Sequence, residues 1–127
     1  MIPSRVRSAI ARAAKAKESY EERKFVLAAR KRKWKTRKMN GAGQRNWMDQ
    51  LVALPFGAIV FIEFKREGEG PRAGQAELIK ELVDMGHYVF LAYSSEGALQ
   101  LCESVIEEKK RGMGTLTVSG EGPRLHY

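Results

Sequence analysis

Residues 49–65 constrain the fold more than any other stretch, because two β-forming runs flank a strong turn signal. Asp49–Leu54 and Ala58–Lys65 are rich in apolar residues, and Pro55-Phe56-Gly57 separates them. Two such runs joined by a short segment that contains Pro and Gly are typical of a β-hairpin. We therefore expect an antiparallel pair of strands near the middle of the chain.

Helical and extended patterns alternate on both sides of this hairpin. We expect, in chain order, helix 4–32 in two pieces, extended segment 34–39, the two hairpin strands, helix 74–85, strand 87–93 and helix 95–112. The helix after the hairpin is long enough for a crossover, which would make the last strand parallel to a hairpin strand. The order predicts an α/β fold in which a mixed central sheet of about four strands is flanked by helices, α-β-β-β-α-β-α.

Length and cysteine content limit the organisation of the chain. Its 127 residues fit one domain, which we expect over residues 1–112, with a basic helical region over 1–33 and a C-terminal tail over 113–127. Cys102 is the one cysteine, which excludes an intrachain disulfide, and the N-terminal residues lack the apolar stretch of a secretory signal. We therefore expect a cytoplasmic protein. The longest apolar run, Ala58–Ile62, is far shorter than the roughly 18 residues of a membrane span.

Positive charge is concentrated in the first part of the chain. Residues 1–48 hold fifteen Lys and Arg against three Glu, a balance of +12, whereas residues 49–127 hold 8 against 12, a balance of −4. This asymmetry favours a polyanionic partner, nucleic acid before an anionic membrane surface. The alternative is a solvated basic face. The residues that we expect at the phosphate backbone are Arg30, Arg32, Lys33, Lys35, Arg37, Lys38, Arg45 and Arg72.

Charged residues interrupt an apolar strand at its carboxyl end. Period-two alternation puts Glu63 and Lys65 on the same face of the second hairpin strand. If the hairpin turns about Phe56, the numbers of paired residues sum to about 112, which sets Asp49 opposite Glu63. Two carboxylates that close repel unless a proton, a cation or a metal lies between them. Lys65 supplies one cation, and Mg²⁺, which binds one or two carboxylates plus waters and phosphate oxygens, would supply more charge. The alternative is an ordinary ion pair of Glu63 and Lys65, with Asp49 in a turn.

These charged residues are part of a longer pattern. Asp49 is followed after thirteen residues by Glu63-Phe64-Lys65, and Gln75 opens the next helix. A glycine-containing loop, residues 68–75, and an L-x-x-x-G run, residues 82–86, follow along the chain. The joint pattern resembles the PD-(D/E)XK nuclease superfamily and, within it, the VRR-NUC family, stand-alone examples of which occur in bacteriophages.

The resemblance implies a role for each residue of the pattern. Asp49, Glu63 and the backbone carbonyl of Phe64 would hold a metal ion, Mg²⁺ with Mn²⁺ able to substitute. Lys65 would assist the attacking water. Gln75 would complete the catalytic site.

The family also has a catalytic glutamate on its N-terminal helix. By position this residue corresponds to Glu22, with Glu21 as the next candidate. The alternative for Glu22 is a helix capping box with Ser19, in which the two side chains satisfy backbone N–H groups at the start of a second helix.

For function, the resemblance implies a metal-dependent DNA endonuclease, a phosphodiester hydrolase with a restriction-endonuclease-like core. The stand-alone phage members are similar to junction-resolving enzymes, homodimers that place two active sites on branched DNA. We therefore expect a homodimer that cleaves four-way (Holliday) junctions or related branches, in the host cytoplasm if a phage encodes it. No segment resembles a base-reading module, which favours recognition of DNA shape.

Two other functions stay open at this point. A nucleic-acid-binding protein without catalysis would use the basic run alone, and a sequence-specific restriction or repair nuclease would give discrete fragments from linear duplex. A membrane-surface protein is disfavoured, because the basic residues of the first helix are not backed by a bulky apolar face. The glycines at 68, 70 and 74 lack the G-x-G-x-x-G spacing, so we expect no nucleotide cofactor.

Overall fold

The computed structural model describes residues 4–41 and 43–118, and its sheet is built around the expected hairpin. The helices are α1 (Ser4–Lys31), α2 (Ala73–Asp84) and α3 (Ser95–Val118), and the strands are β1 (Lys35–Lys38), β2 (Gln50–Ala53), β3 (Ile59–Phe64) and β4 (Tyr88–Ala92). The α/β class and the element order α-β-β-β-α-β-α are confirmed. None of the helices within the described ranges combines the length and apolarity that a membrane span requires.

The four strands form one mixed sheet in the order β1-β2-β3-β4. The first three are antiparallel, and α2 is the crossover that places β4 parallel to β3. Gln50 pairs with Ile62 and Ala53 with Ile59, which is the predicted register. Asp49 and Glu63 therefore stand at the next paired position beyond the end of β2.

A single turn of 3₁₀ helix over Pro55–Gly57 joins β2 to β3. Phe56 and Gly57 both have left-handed backbone angles, with φ of 65° and 76°. The Leu54 N–H donates to the Ala58 carbonyl at 2.8 Å and closes the turn. A left-handed conformation is rare for a bulky residue such as Phe56, so the strands on either side must hold this turn in place.

Each face of the sheet is covered by helices, as the alternation along β3 requires. Val60, Ile62 and Phe64 point toward α1 and α3, and they share one buried cluster with Phe25 and Cys102. Phe61 points the other way and packs with buried Met48 and Leu82 of the second cluster, which α2 covers. Burying a side chain of this size contributes about 1.5–3 kcal/mol, so both clusters fix the position of β3.

Two expectations about helix boundaries are wrong. α1 is one continuous helix, so Ser19 lies in its interior and does not begin a second helix. The segment around it contains neither Gly nor Pro and is rich in Ala, Lys and Glu, which favour an uninterrupted helix. α3 continues through Gly112 and Gly114 to Val118, because each glycine costs a helix only about 1 kcal/mol. Residues 119–127 lie outside the described ranges.

Cys102 provides a test of the packing of α3 on the sheet. Burial in the core, with a further contribution from Glu103, raises the pKa of its thiol to about 12. Because the thiolate is the reactive form, its fraction at pH 8 is about a thousandfold below that of a cysteine with the ordinary pKa of 9.0. We expect Cys102 to react with Ellman's reagent only after unfolding in guanidinium chloride. Labelling in buffer alone at the rate of a free thiol would contradict this packing.

Candidate active site

The charged residues of the predicted pattern meet in a cleft of about 390 Å³ at the ends of β1, β2 and β3. Asp49, Glu63, Phe64 and Lys65 line it from the sheet, and Glu22 lines it from α1. Gln75 is fully buried in the first turn of α2 and its amide interacts with the Glu63 carboxylate. The structure therefore brings the predicted catalytic and metal-binding residues into one place.

The Asp49 carboxylate is held by hydrogen bonds from two strands. The Phe64 N–H donates to Oδ2 at 2.8 Å, and the Asn40 side-chain amide donates to Oδ1 at 2.6 Å. The Met39 N–H also donates to the Asp49 carbonyl at 3.0 Å, which extends the pairing of β1 with β2. Asn40 is a site residue that the sequence analysis missed. Because Lys38 pairs with Gln50, the segment that follows β1 brings Asn40 beside Asp49.

Glu63 and Lys65 form a close ion pair, with 3.3 Å between Lys65 Nζ and Glu63 Oε2. Their side chains are only 8% and 15% exposed. Burial, followed by the charge of Asp49, raises the pKa of the Glu63 carboxyl, and the Gln75 amide and the Lys65 ammonium oppose this effect in part. The other carboxylate oxygen, Oε1, is buried and accepts no hydrogen bond.

Gln75 reaches the site because α2 begins close to the segment before β2. Its Nε2 donates a long hydrogen bond of 3.5 Å to the Trp47 carbonyl, while its Oε1 is buried without a donor. Gly74 allows this approach, since a Cβ there would lie 2.9 Å from the Asn46 side chain. A larger residue at position 74 would require the Asn46 side chain to move.

The two glutamates on α1 have different surroundings. Glu22 faces the cleft, where its Oε2 accepts hydrogen bonds from Lys38 Nζ at 2.7 Å and from Gln50 Nε2 at 2.6 Å. Glu21 points away from these groups, and its Oε1 accepts the Ser95 N–H at 2.8 Å. Glu21 therefore caps the first turn of α3, where a negative charge is favourable, and Glu22 is the helix glutamate that enters the cleft.

Lys38 lies inside the cleft, where it contacts two acidic residues. Its Nζ is 2.7 Å from Glu22 Oε2 and 3.6 Å from Asp49 Oδ1. Burial favours the neutral amine, but hydrogen bonding and charge interaction with Glu22, and then with Asp49, outweigh it and raise the pKa of Lys38. The sequence analysis expected Lys38 only at the phosphate backbone and did not anticipate these acidic partners.

The other expected phosphate ligands differ in their surroundings. Arg30, Lys33, Lys35, Arg37 and Arg45 are exposed. Arg32 is ion-paired with Glu103 at 3.5 Å and stacks over Trp34, which is itself buried. Arg72 lines the cleft and donates a hydrogen bond to the Arg45 carbonyl.

The donor set of the cleft fits a divalent cation that prefers oxygen. Asp49 and Glu63 place carboxylate groups in the cleft, and Phe64 also lines it. Glu63 Oε1, Gln75 Oε1 and Asn40 Oδ1 are buried acceptors without a donor, and a cation relieves such groups. Within the described ranges, no three acidic, histidine or cysteine side chains form a complete ligand set. Mg²⁺ does not require one, because it usually keeps several waters and binds one or two carboxylates together with substrate phosphates.

The chain is similar to known nucleases in sequence and in structure. No protein-family model matches it. "Putative nuclease p44" of Acyrthosiphon pisum secondary endosymbiont phage 1 is 35% identical over 80 residues, which are 63% of this chain and 86% of the relative. A solved structure described as a "VRR_NUC domain" has a TM-score of 0.61 and 27% identity, and the match covers 68% of this chain and 95% of that one.

Together, the mixed sheet and the cleft at its strand ends define a nuclease domain. The two similarities support this class, since one relative is named a nuclease and the matching structure is a VRR_NUC domain. The chain belongs to the VRR-NUC family, as its sequence pattern predicted.

The separate surroundings of Glu21 and Glu22 can be tested by substitution. We expect Glu21→Ala to lower the free energy of unfolding by about 1 kcal/mol, as the loss of a helix cap does, and to leave Mn²⁺ binding unchanged. Urea denaturation and calorimetric titration measure the two effects. Glu96→Ala, which removes another acid from the first turn of α3, is the matched control and should cost less. Loss of metal binding in Glu21→Ala would instead place Glu21 in the cleft.

Proposed function

We propose that this nuclease is a Mg²⁺-dependent DNA endonuclease and that the cleft is its active site, with Mn²⁺ able to substitute. The observation that carries the proposal is that Asp49, Glu63 and Lys65 share one cleft. The side chains of Asp49 and Glu63 are only 14% and 8% exposed. Two carboxylates in that environment favour a bound cation, because burial and mutual repulsion both oppose their charges.

In this proposal, Asp49, Glu63 and the Phe64 carbonyl hold the metal. Bound there, the metal would polarise the scissile phosphate and lower the pKa of an attacking water. Lys65 orients that water from its position beside Glu63. Gln75 holds the Glu63 carboxylate in place. The water oxygen bonds to phosphorus as the bond to the leaving oxygen breaks, and a proton passes to that leaving oxygen.

The distribution of exposed cations suggests how DNA reaches the cleft. Lys35 and Arg37 lie on β1, the outer strand of the sheet, and Lys33 lies two residues before that strand begins. All three are exposed, and β1 leads directly to Lys38 in the cleft. We infer that the phosphate backbone runs along β1 and that Arg30, Arg45 and Arg72 add contacts on either side of it.

We infer further that the substrate is a four-way junction or a related branch. Phosphate contacts position a protein on DNA without reading its sequence, and the proposed contacts are all of this kind. Symmetric cuts in two strands need two active sites, and the described part of the chain forms one cleft of this composition. A homodimer would supply the second. For a phage-encoded nuclease, the place of action would be the host cytoplasm.

Substitution of Lys65 tests the catalytic assignment. We expect Lys65→Ala to lower the cleavage rate about a hundredfold to a thousandfold, the usual cost of removing a group that stabilises developing charge, while junction binding persists. The measurement is cleavage of a labelled four-way junction beside its linear arms, in Mg²⁺, in Mn²⁺ and in EDTA. Lys80→Ala is the matched control, because Lys80 is exposed on α2 and pairs only with Asp84 in a local contact.

The outcomes of this assay separate the alternatives. Metal-dependent nicking of the junction alone supports both the active site and the preference for branches. Cutting of both substrates would keep the nuclease and reject the preference. Discrete fragments from linear duplex would favour a sequence-specific enzyme, and binding without any cutting would reject the active site proposed here.

Salt dependence tests the proposed path of DNA along β1. Replacing Lys33, Lys35 and Arg37 with Gln should weaken junction binding and reduce the slope of log K against log salt by about 2.7, at about 0.9 for each lost phosphate contact. Titrations by fluorescence anisotropy at several salt concentrations give the slope. Replacement of Lys80, Lys109 and Lys110 removes the same charge from α2 and α3 and serves as the control. Equal effects of the two triple variants would move the binding surface away from β1.

A further inference from the structure

Lys38 holds an unusual position for a residue of a basic DNA-binding strand, because its ammonium lies between two carboxylates of the cleft. We propose that Lys38 acts as a tethered cation in the place that a second divalent ion would take in a two-metal nuclease, so that each cleft binds one metal ion. This inference rests on the metal site at Asp49 and Glu63 proposed above. It concerns the number of ions bound and the role of Lys38 in setting that number.

The distances support this position for the Lys38 ammonium. Lys38 Nζ is 2.7 Å from Glu22 Oε2 and 3.6 Å from Asp49 Oδ1, so one cation serves both carboxylates. The two acidic side chains are only 13% and 14% exposed. In two-metal sites, a carboxylate commonly lies beside both ions, which are about 3.5–4 Å apart. Asp49 has this central position here, between Lys38 on one side and Glu63 on the other.

The backbone and a buried glutamine hold Lys38 and Glu22 together. Lys38 pairs with Gln50 at the end of β1. Gln50 is only 5% exposed, and its Nε2 donates to the same Glu22 oxygen at 2.6 Å. Glu22 Oε2 therefore accepts from a neutral donor and a charged donor on two paired strands. The Lys38 side chain is 52% exposed along its length, but these contacts fix its ammonium beside Glu22 at the edge of the cleft.

The charges of the cleft explain why one ion would suffice. The acidic residues that line the cleft carry four negative charges and the basic residues carry three positive charges: Glu18, Glu22, Asp49 and Glu63 against Lys38, Lys65 and Arg72. One divalent ion changes the net charge of the cleft from −1 to +1, whereas two ions would raise the net charge to +3 before a phosphate binds. Without Lys38 the balance would be −2, which two divalent ions would bring to +2. The ammonium also stays attached to β1, so it repels an incoming ion at that position at any metal concentration.

The experiment counts the ions bound by the intact protein. Isothermal titration with Mn²⁺, in the absence of DNA, should give one ion per chain for the unsubstituted protein. Lys38→Met keeps most of the length of the side chain but removes its charge, and it should bind two ions per chain. Lys38→Arg keeps the charge and should bind one. Lys35→Met removes a charge from an exposed residue of the same strand and should also bind one. Near-UV circular dichroism verifies that each variant is folded.

Each outcome bears on the inference. Two ions in the unsubstituted protein would overturn it, whether or not Lys38→Met folds. One ion of unchanged affinity in folded Lys38→Met would also overturn it, and the proposed metal site would stand. No Mn²⁺ binding in any variant would reject the metal site itself and the inference with it. Loss of binding in Asp49→Ala, with one ion in the unsubstituted protein, shows that the counted ion occupies the cleft.

Discussion

The antiparallel register of β2 and β3 determines where the groups of the cleft lie. Because Gln50 pairs with Ile62, the Asp49 carboxylate lies across from Glu63 and accepts the Phe64 N–H. A slip of one residue would turn every side chain of β3 to the opposite face of the sheet, and Glu63 would then point into the apolar core. The buried residues on both faces of β3 oppose such a slip. The packing of the core and the geometry of the site thus depend on the same pairing.

The part of the fold and site that follows from local pattern could be predicted from the sequence. A turn about Phe56 and a two-residue period fix the register, and the register brings Asp49 to Glu63. Lys65 follows from its place two residues beyond Glu63 on the same strand, and the resemblance to the VRR-NUC pattern supplied Gln75 at the start of the crossover helix. These relations involve neighbouring elements only, so they do not depend on how distant helices pack.

The features that the sequence did not reveal depend on contacts between distant elements. Glu21 and Glu22 are adjacent on one helix, and only the packing of α1 decides that the first caps α3 and the second enters the cleft. Lys38 and Asn40 become site residues through the pairing of β1 with β2. Because β1 has only four residues, its hydrophobic pattern does not predict the register of this pairing. Trp34 stands among basic residues in the sequence, yet it is buried in the core.

The outer position of β1 has a consequence for the behaviour of the protein at high concentration. One side of this strand has no neighbouring strand in the described sheet, and an unpaired strand edge can join the sheet of another copy and start aggregation. Lys35, Arg37 and Lys38 oppose such pairing by mutual repulsion between copies. The charge on this strand therefore favours colloidal stability as well as any contact with a polyanion, and variants that neutralise it should be handled at low concentration.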